Sequence, residues 1–295
     1  MIHQKWPREA ETQYLEVGER ERTGRMAPED LLIIGAGALG RRVGRLWLAQ
    51  HPEARIFAET RTDHFHPALR EDGMIPRLRS DPDPPAMPYV SFSVPPSSQD
   101  DYAAEAARAV SLWLGEGRLL ITSSTAVYAE EDGGPCAEGS PLADSPRAMR
   151  LRHAEECLLT AGALVVRLAG LYDHQRGPHR AYLRTRTSPR RPDGLISLIH
   201  YDDAARLCVQ ALSRGRAGAI YLGCDDHPIT RQELVRAVVR SQRYRSATGP
   251  LQACRFTGAE GPRGRRCDSA WTRQALGWEP NHRCFLDWID DIEEP

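Results

Sequence analysis

Short apolar runs alternate with amphipathic stretches of helical period through the first 172 residues. Leu31 to Ile34 is uniformly apolar, as a buried strand should be, and Leu39, Val43, Leu46 and Trp47 then fall on one helical face. Arg55 to Glu59, Tyr89 to Val94, Leu119 to Thr122 and Ala163 to Leu168 read as further strands, the second of them stopped by Pro95-Pro96. Tyr102 to Leu114 predicts an alanine-rich helix with Val110 and Trp113 on one side. Ser145-Pro146 is an N-cap followed by proline at the first helical position, ahead of Leu151, Ala154 and Leu158. After Tyr172 the texture changes. Asp173 to Gly194 is polar and rich in arginine and proline, Leu195 to His200 reads as a strand, and Asp202 or Asp203 is expected to cap a helix that Gly215 ends. Ala219 to Leu222 reads as a strand, Thr230 to Glu233 as a capping box, and Phe285 to Ile292 as a last apolar face.

Strand and helix alternation of this kind predicts an α/β fold with a doubly wound parallel sheet. A chain of 295 residues, 41% hydrophobic, can bury a large core. Its formal net charge of −1 argues against nucleic acid or an anionic membrane as partner. No apolar run reaches the roughly 18 residues of a membrane span. Residues 1 to 30 mix acids and bases with no secretory apolar region and read as a solvated, mobile extension. Seven scattered cysteines without a C-x-x-C pair suit a reducing compartment, the cytoplasm or a plastid stroma, rather than secretion. Lys5 is the only lysine, so no mechanism in the folded core can use one.

The chemistry begins at Gly35-Ala36-Gly37-Ala38-Leu39-Gly40, a G-x-G-x-x-G loop between a strand and a helix. The first glycine permits the turn, the second lets backbone approach a pyrophosphate, and the third lets helix and strand pack. The free N–H groups of the helix start then face the anion. Glu59 lies about 20 residues on, where a Rossmann unit places its ribose-binding acid. Its carboxylate favours NAD, whereas Arg61, with Arg41 or Arg42, could pair with a 2′-phosphate and favour NADP; both remain open. His64 and His66 flank Phe65 without a third ligand and read as a solvated loop, so no metal is expected.

Several later segments add up. Thr122-Ser123-Ser124-Thr125-Ala126-Val127-Tyr128 resembles the S-S-x-x-V-Y segment of extended short-chain dehydrogenases/reductases. Val166 to Tyr172 resembles their R-x-x-G-x-Y strand end, Leu198 to Ala204 their I-H-x-x-D helix start, Ile220 to Glu233 their Y-N-x-x-D-x-P-x-T-x-x-E segment, and Ala275 to Pro280 their L-G-W-x-P. From about Leu31 to Pro280 the chain resembles the NAD-dependent epimerase/dehydratase family, most of all its atypical members. The resemblance implies a Rossmann domain over residues 31–172 and a smaller C-terminal α/β substrate lobe over 173–295, with 195–215 returning to the first domain. It implies NAD or NADP as cofactor, with Ala38, Leu39, Pro95 and Leu171 joining Gly35, Gly37, Gly40, Glu59 and Arg61 as contacts. The family's usual Y-x-x-x-K pair is missing. Aligned through Glu156, Ala148 takes the tyrosine position and Arg152 the lysine position, where an arginine can bond ribose hydroxyls but does not titrate near neutrality.

Ser124 matches the family's Ser/Thr that hydrogen-bonds a substrate oxygen. Tyr128, Tyr172 and His200 are the candidates for a substitute acid or base. Arg180, Arg184, Arg186, Arg190 and Arg191 surround Tyr182 and could dock an anionic substrate, or form a solvated basic loop. The expected function is an NAD(P)-dependent oxidoreductase or epimerase acting on a small carbonyl or sugar-like substrate, in a chain that could pair as a homodimer. The alternative is a catalytically silent NAD(P)-binding protein serving as a redox sensor or scaffold.

Overall fold

A computed structural model describes residues 27–96, 101–241, 244, 253–258 and 261–290. Most of the expected N-terminal extension, residues 1–26, and Ile292 lie outside the described residues. In chain order the strands are β1 (Leu31–Ile34), β2 (Ile56–Thr60), β3 (Ile75–Leu78), β4 (Met87–Phe92), β5 (Trp113–Ser124), β6 (Asp132–Cys136), β7 (Leu164–Leu168), β8 (Gly170–Tyr172), β9 (Thr187–Ser188), β10 (Leu195–Ile196), β11 (Leu198–His200), β12 (Ile220–Gly223), β13 (Ile229–Thr230), β14 (Arg255–Phe256) and β15 (Gly264–Cys267).

Seven of them form one parallel sheet in the order β12-β7-β5-β4-β1-β2-β3. The order reverses between β1 and β4, and in open α/β sheets the crevice at that point takes the ligand. β1 and β7 are buried at every position; β1 is uniformly apolar, and the one charge on β7, Arg167, is paired with Glu155. The helices Ala38–Gln50 and Tyr201–Arg214 pack against each other, and Tyr102–Ser111 packs against Pro146–Thr160. Outside the sheet, β8 pairs β11, β10 pairs β13, β9 pairs β14 and β6 pairs β15. A second apolar cluster, built on Tyr172, Leu198, Leu234, Phe285 and Trp288, holds the C-terminal part together.

Four details correct the pattern reading. The helix at Tyr102 ends at Ser111, and Trp113 opens β5 in register with Met87. Gly115 and Gly117, at φ 79° and 63°, carry β5 through a break in its register with β4, in a conformation no helix contains. β3 was hidden because it is a short edge strand containing Pro76, a residue the sheet tolerates only at an edge. Leu195 to His200 is two strands with different partners, broken at Ser197. The cap of the helix Tyr201–Arg214 is His200 rather than Asp202 or Asp203: its ring Nδ1 accepts the Asp202 N–H at 3.2 Å. Ser145 and Thr230 cap as their sequence signatures predict, the second with a full capping box.

Candidate functional site

The glycine loop joins β1 to the helix Ala38–Gln50, whose N-cap, Gly37, has no side chain to satisfy the first N–H groups. The three loop glycines do different work. Gly35 has φ 92°, and a Cβ there would meet the Ser93 backbone at 2.9 Å. A Cβ on Gly40 would meet the Gly35 carbonyl oxygen at 2.6 Å, so this glycine sets the packing of helix on strand. A Cβ on Gly37 would meet nothing within 4 Å; it faces open space in the crevice. Gly35, Gly37, Ala38, Leu39, Gly40, Glu59, Arg61, Pro95 and Leu171, all expected cofactor contacts, line one groove of about 540 Å³, and Ser124 lines it too.

Glu59 accepts backbone N–H donors from Gly35 and Ala36 through its carbonyl. Its carboxylate has other partners. Oε1 accepts from Arg108 Nη1 at 2.9 Å, and Oε2 accepts from Arg77 Nη1 at 2.5 Å and Arg108 Nη2 at 2.8 Å. Arg41 and Arg42 do not reach the groove: Arg41 is tied to Asp72, and Arg42 pairs with Asp173 at 3.0 Å and Asp202 at 2.6 Å.

The helix Pro146–Thr160 meets the site one residue earlier than the alignment through Glu156 expects. Glu155, not Glu156, is the buried acid: it accepts from Arg167 Nη2 at 2.7 Å and binds the Ser123 hydroxyl. A register counted from Glu155 instead of Glu156 moves the two positions of the Y-x-x-x-K pair to Arg147 and Leu151. Leu151 lines the groove, and Arg147 lines a second cavity beside it. Ala148 is fully buried. Arg152, expected at the ribose, donates to the Ala143 carbonyl at 2.9 Å and Asp144 at 2.7 Å and does not line the groove.

Ser124 stands in the wall common to both spaces. Its hydroxyl accepts from the Ala126 N–H at 3.2 Å, which leaves its proton available to a ligand. The other three acid/base candidates line neither space. Tyr128 is buried, its hydroxyl reaches the Glu138 carbonyl at 3.4 Å, and burial pushes its phenol above the usual range. Burial does the same to Tyr172, whose hydroxyl has no hydrogen-bond partner among the described residues. His200 is 5% exposed, and burial with the adjacent His282 lowers it to about 4. These three therefore serve packing and capping in this structure. His200, Asp203 and His282 offer ligand atoms within 4.8 Å of one another. Both Asp203 oxygens, however, already accept from the Asn281 and His282 backbone, so the cluster ties the C-terminal segment to a helix start.

The second cavity, about 730 Å³, is lined by Arg147, Arg190, Arg191, Arg231 and Arg265, with Glu131 as its one carboxylate among the described residues. Of the five arginines expected around Tyr182, only Arg190 and Arg191 are here; Arg180, Arg184 and Arg186 are not. Arg191 is paired with Asp193 at 2.6 Å, and Arg265 donates to the Thr125 carbonyl. Arg231 is different. It is 8% exposed, has no ion pair among the described residues, and its Nε is buried without a hydrogen-bond partner. Burial holds its guanidinium below its ordinary range. Arg190 and Arg231 also line a third cavity of about 450 Å³, so they stand between the two.

No protein-family profile and no curated protein matches the chain. Solved structures do. A functionally unknown conserved protein from Silicibacter pomeroyi aligns with TM-score 0.71 at 24% identity, covering 88% of this chain and 98% of that one. MoeE5, solved in complex with UDP-glucose and NAD, aligns with TM-score 0.69 at 17% identity over 88% of this chain and 96% of its own. The UDP-glucuronic acid 4-epimerase of Bacillus cereus, in complex with NAD, aligns with TM-score 0.69 at 12% identity over 90% and 100%. The chain thus has the Rossmann-type α/β fold shared by NAD-dependent sugar epimerases and dehydratases. Among the described residues no helix is long and apolar enough to cross a membrane.

Proposed function

We propose that this protein is an NAD(P)-dependent oxidoreductase or epimerase whose substrate is sugar-like and carries an anionic group. The observation that carries the reading is the position of Ser124, in the wall shared by the glycine-loop groove and the arginine-lined cavity. A dinucleotide with its pyrophosphate at the open face of Gly37 would run along the groove toward that serine. Bound nicotinamide supplies hydride transfer. The Ser124 hydroxyl donates to the substrate oxygen, and the arginines beyond it hold the anionic part. Sugar nucleotides, which neighbours of this fold hold, are one substrate class of that shape and charge.

The proton is handled differently from the resembling family, because Arg147 and Leu151 stand where phenol and ammonium are usual. A guanidinium stabilises an oxyanion but does not exchange protons near neutrality. Glu131, which lines the cavity, is a carboxylate placed for that exchange. The same two positions favour a second reading, a dinucleotide-binding protein without turnover.

Titration calorimetry on the full chain tests both. Binding of NAD(H) or NADP(H), together with pyrophosphate binding that Arg231→Met removes, is the expected result. Absence of binding by every dinucleotide sinks the reading. Dinucleotide binding without oxidation or reduction across UDP-hexoses and simple ketones selects the silent form.

A further inference from the structure

We infer that Cys136 and Cys267 form an oxidisable dithiol, converted by hydrogen peroxide to a disulfide that pins β15 to β6 behind the arginine-lined cavity. The two residues are direct partners across the parallel pairing of these strands. Partners on neighbouring strands stand about 4.8 Å apart with side chains on the same face, and a disulfide accepts Cα separations of about 4.4–6.8 Å. Both are free thiols and both are buried, Cys136 at 1% and Cys267 at 3% exposure. Joining them needs rotation of two side chains and no displacement of backbone. The neighbouring Cys224 is committed elsewhere: its Sγ donates to Asp226 Oδ1 at 2.8 Å, and burial raises it far above its ordinary range.

The surroundings give the two sulfurs different roles. Hydrogen bonding from Cys136, then from Ser197 and Thr125, and the charge of Arg265 hold the Cys267 thiol below its ordinary range against its burial. The same contact, with burial, holds Cys136 above its own. Cys267 is thus the nucleophile and Cys136 the resolving thiol. The Cys267 N–H donates to the Ser197 hydroxyl at 3.0 Å, and Thr125, Ser197 and Arg265 all line the second cavity. Cys267 therefore lies one layer behind the cavity wall, where only a small oxidant has access. Its thiolate attacks one oxygen of hydrogen peroxide, the O–O bond breaks, and hydroxide leaves a sulfenic acid on Cys267. The Cys136 sulfur then attacks the Cys267 sulfur, the S–S bond forms, and the S–O bond breaks. The oxygen leaves as water with the Cys136 proton. Two thiols lose two electrons in all, and one peroxide becomes two waters. The bond would join the strand that carries Arg265 to the strand that Glu131 precedes, fixing both sides of the cavity. It does not depend on the function proposed for that cavity.

The test treats the full folded chain with a small excess of hydrogen peroxide, blocks the remaining thiols with iodoacetamide and maps crosslinks by mass spectrometry after digestion. A Cys136–Cys267 crosslink, reversed by dithiothreitol, is expected as the first disulfide to form. The melting temperature should rise with it, because the bond closes a loop of about 130 residues. Cys136→Ser should leave a sulfenic acid on Cys267 that dimedone traps, and Cys157→Ser should leave the crosslink intact. Thiols that stay reduced at 136 and 267 while other cysteines oxidise overturn the inference, as does a crosslink that forms only in urea. A melting temperature that falls with the crosslink also overturns it, since the fold would then not hold the two sulfurs ready to join.

Discussion

The two spaces that meet at Ser124 treat charge in opposite ways. Around the dinucleotide groove every carboxylate that matters is closed into pairs: Glu59 with Arg77 and Arg108, Glu105 with Arg79, and Glu155 with Arg167. In the neighbouring cavity, among the described residues, the arginines outnumber the acids five to one, and the most buried of them has no ionic partner. A closed pair belongs to the fold, since removing one member strands the other in low dielectric. An open guanidinium costs the fold stability and is explained by what it would bind. The difference separates scaffold from receptor within a single cleft, and mutations on the two sides should change stability in opposite directions.

The largest effect is expected at Glu155. Glu155→Ala leaves Arg167 buried without its charge partner and also frees the Ser123 hydroxyl, joining a loss on the Pro146–Thr160 helix to losses on β5 and β7. Removing one side of such a pair typically costs about 3–5 kcal/mol. Urea denaturation measures it, and a loss near zero would break the claim that groove-side pairs are structural.

The glycine loop sharpens the contrast. Gly40→Ala drives a methyl into the Gly35 carbonyl and should cost about 1–3 kcal/mol. Gly37→Ala meets nothing in the protein, so it should leave the urea midpoint unchanged while weakening dinucleotide binding. If Gly37→Ala binds normally, the open face of that residue is not the phosphate seat.

The glycine-loop side was the more legible in the sequence, for a physical reason. Its signals are local: an apolar run, three glycines and a helical face lie within 20 residues, and Ser124 ends an apolar strand. The receptor side is assembled from distant segments, with Arg147 on a helix, Arg231 at the start of another and Arg265 on β15, and no spacing announces their convergence. Two ambiguities are finer. Glu155 and Glu156 are adjacent and chemically identical, so only the Arg167 contact decides which fixes the helix register. Glu59 sits where a ribose-binding acid belongs, but its clamp comes from Arg77 on a proline-containing edge strand that the pattern did not reveal.

A pH profile probes buried groups that neither space uses. His179 and His200 are each lowered to about 4 from an ordinary 6.5, both mainly by burial. Between those values the unfolded chain takes up protons that the folded chain refuses, so stability falls as pH drops from about 6.5 toward 4. Asp225, 3% exposed, is pushed up to about 8 by burial. Its folded form keeps a proton that the unfolded form has lost, so it removes stability as pH rises from 3.8 to about 8. Below 6.5 the two histidines outweigh the one carboxyl; above 6.5 the carboxyl acts alone. Stability should therefore peak near pH 6.5 and decline by ~1 kcal/mol per pH unit on either side. Asp225→Asn should flatten the alkaline limb and steepen the acid one, where the carboxyl opposes the two histidines; unchanged limbs would place their cause elsewhere.

The smallest change is the most diagnostic, because its sign is the unusual one. Arg231→Met keeps length and apolar volume while removing a buried cation that has no ionic partner among the described residues. The first helical turn loses little, since the Arg231 backbone N–H still donates to the Gly194 carbonyl and the Thr230–Glu233 box remains. The lost side-chain bonds are a long one, 3.4 Å from Nη1 to the Arg191 carbonyl, and one with the Tyr182 side chain. Removing an uncompensated buried charge should thus stabilise the unliganded protein by about 1 kcal/mol, with pyrophosphate affinity lost in the same variant. Stabilisation with binding intact would move the anion seat to Arg190 or Arg147. A loss of several kcal/mol would place Arg231 with the closed pairs of the groove, as a residue the fold needs, and the division of the cleft into scaffold and receptor would fail at its most buried cation.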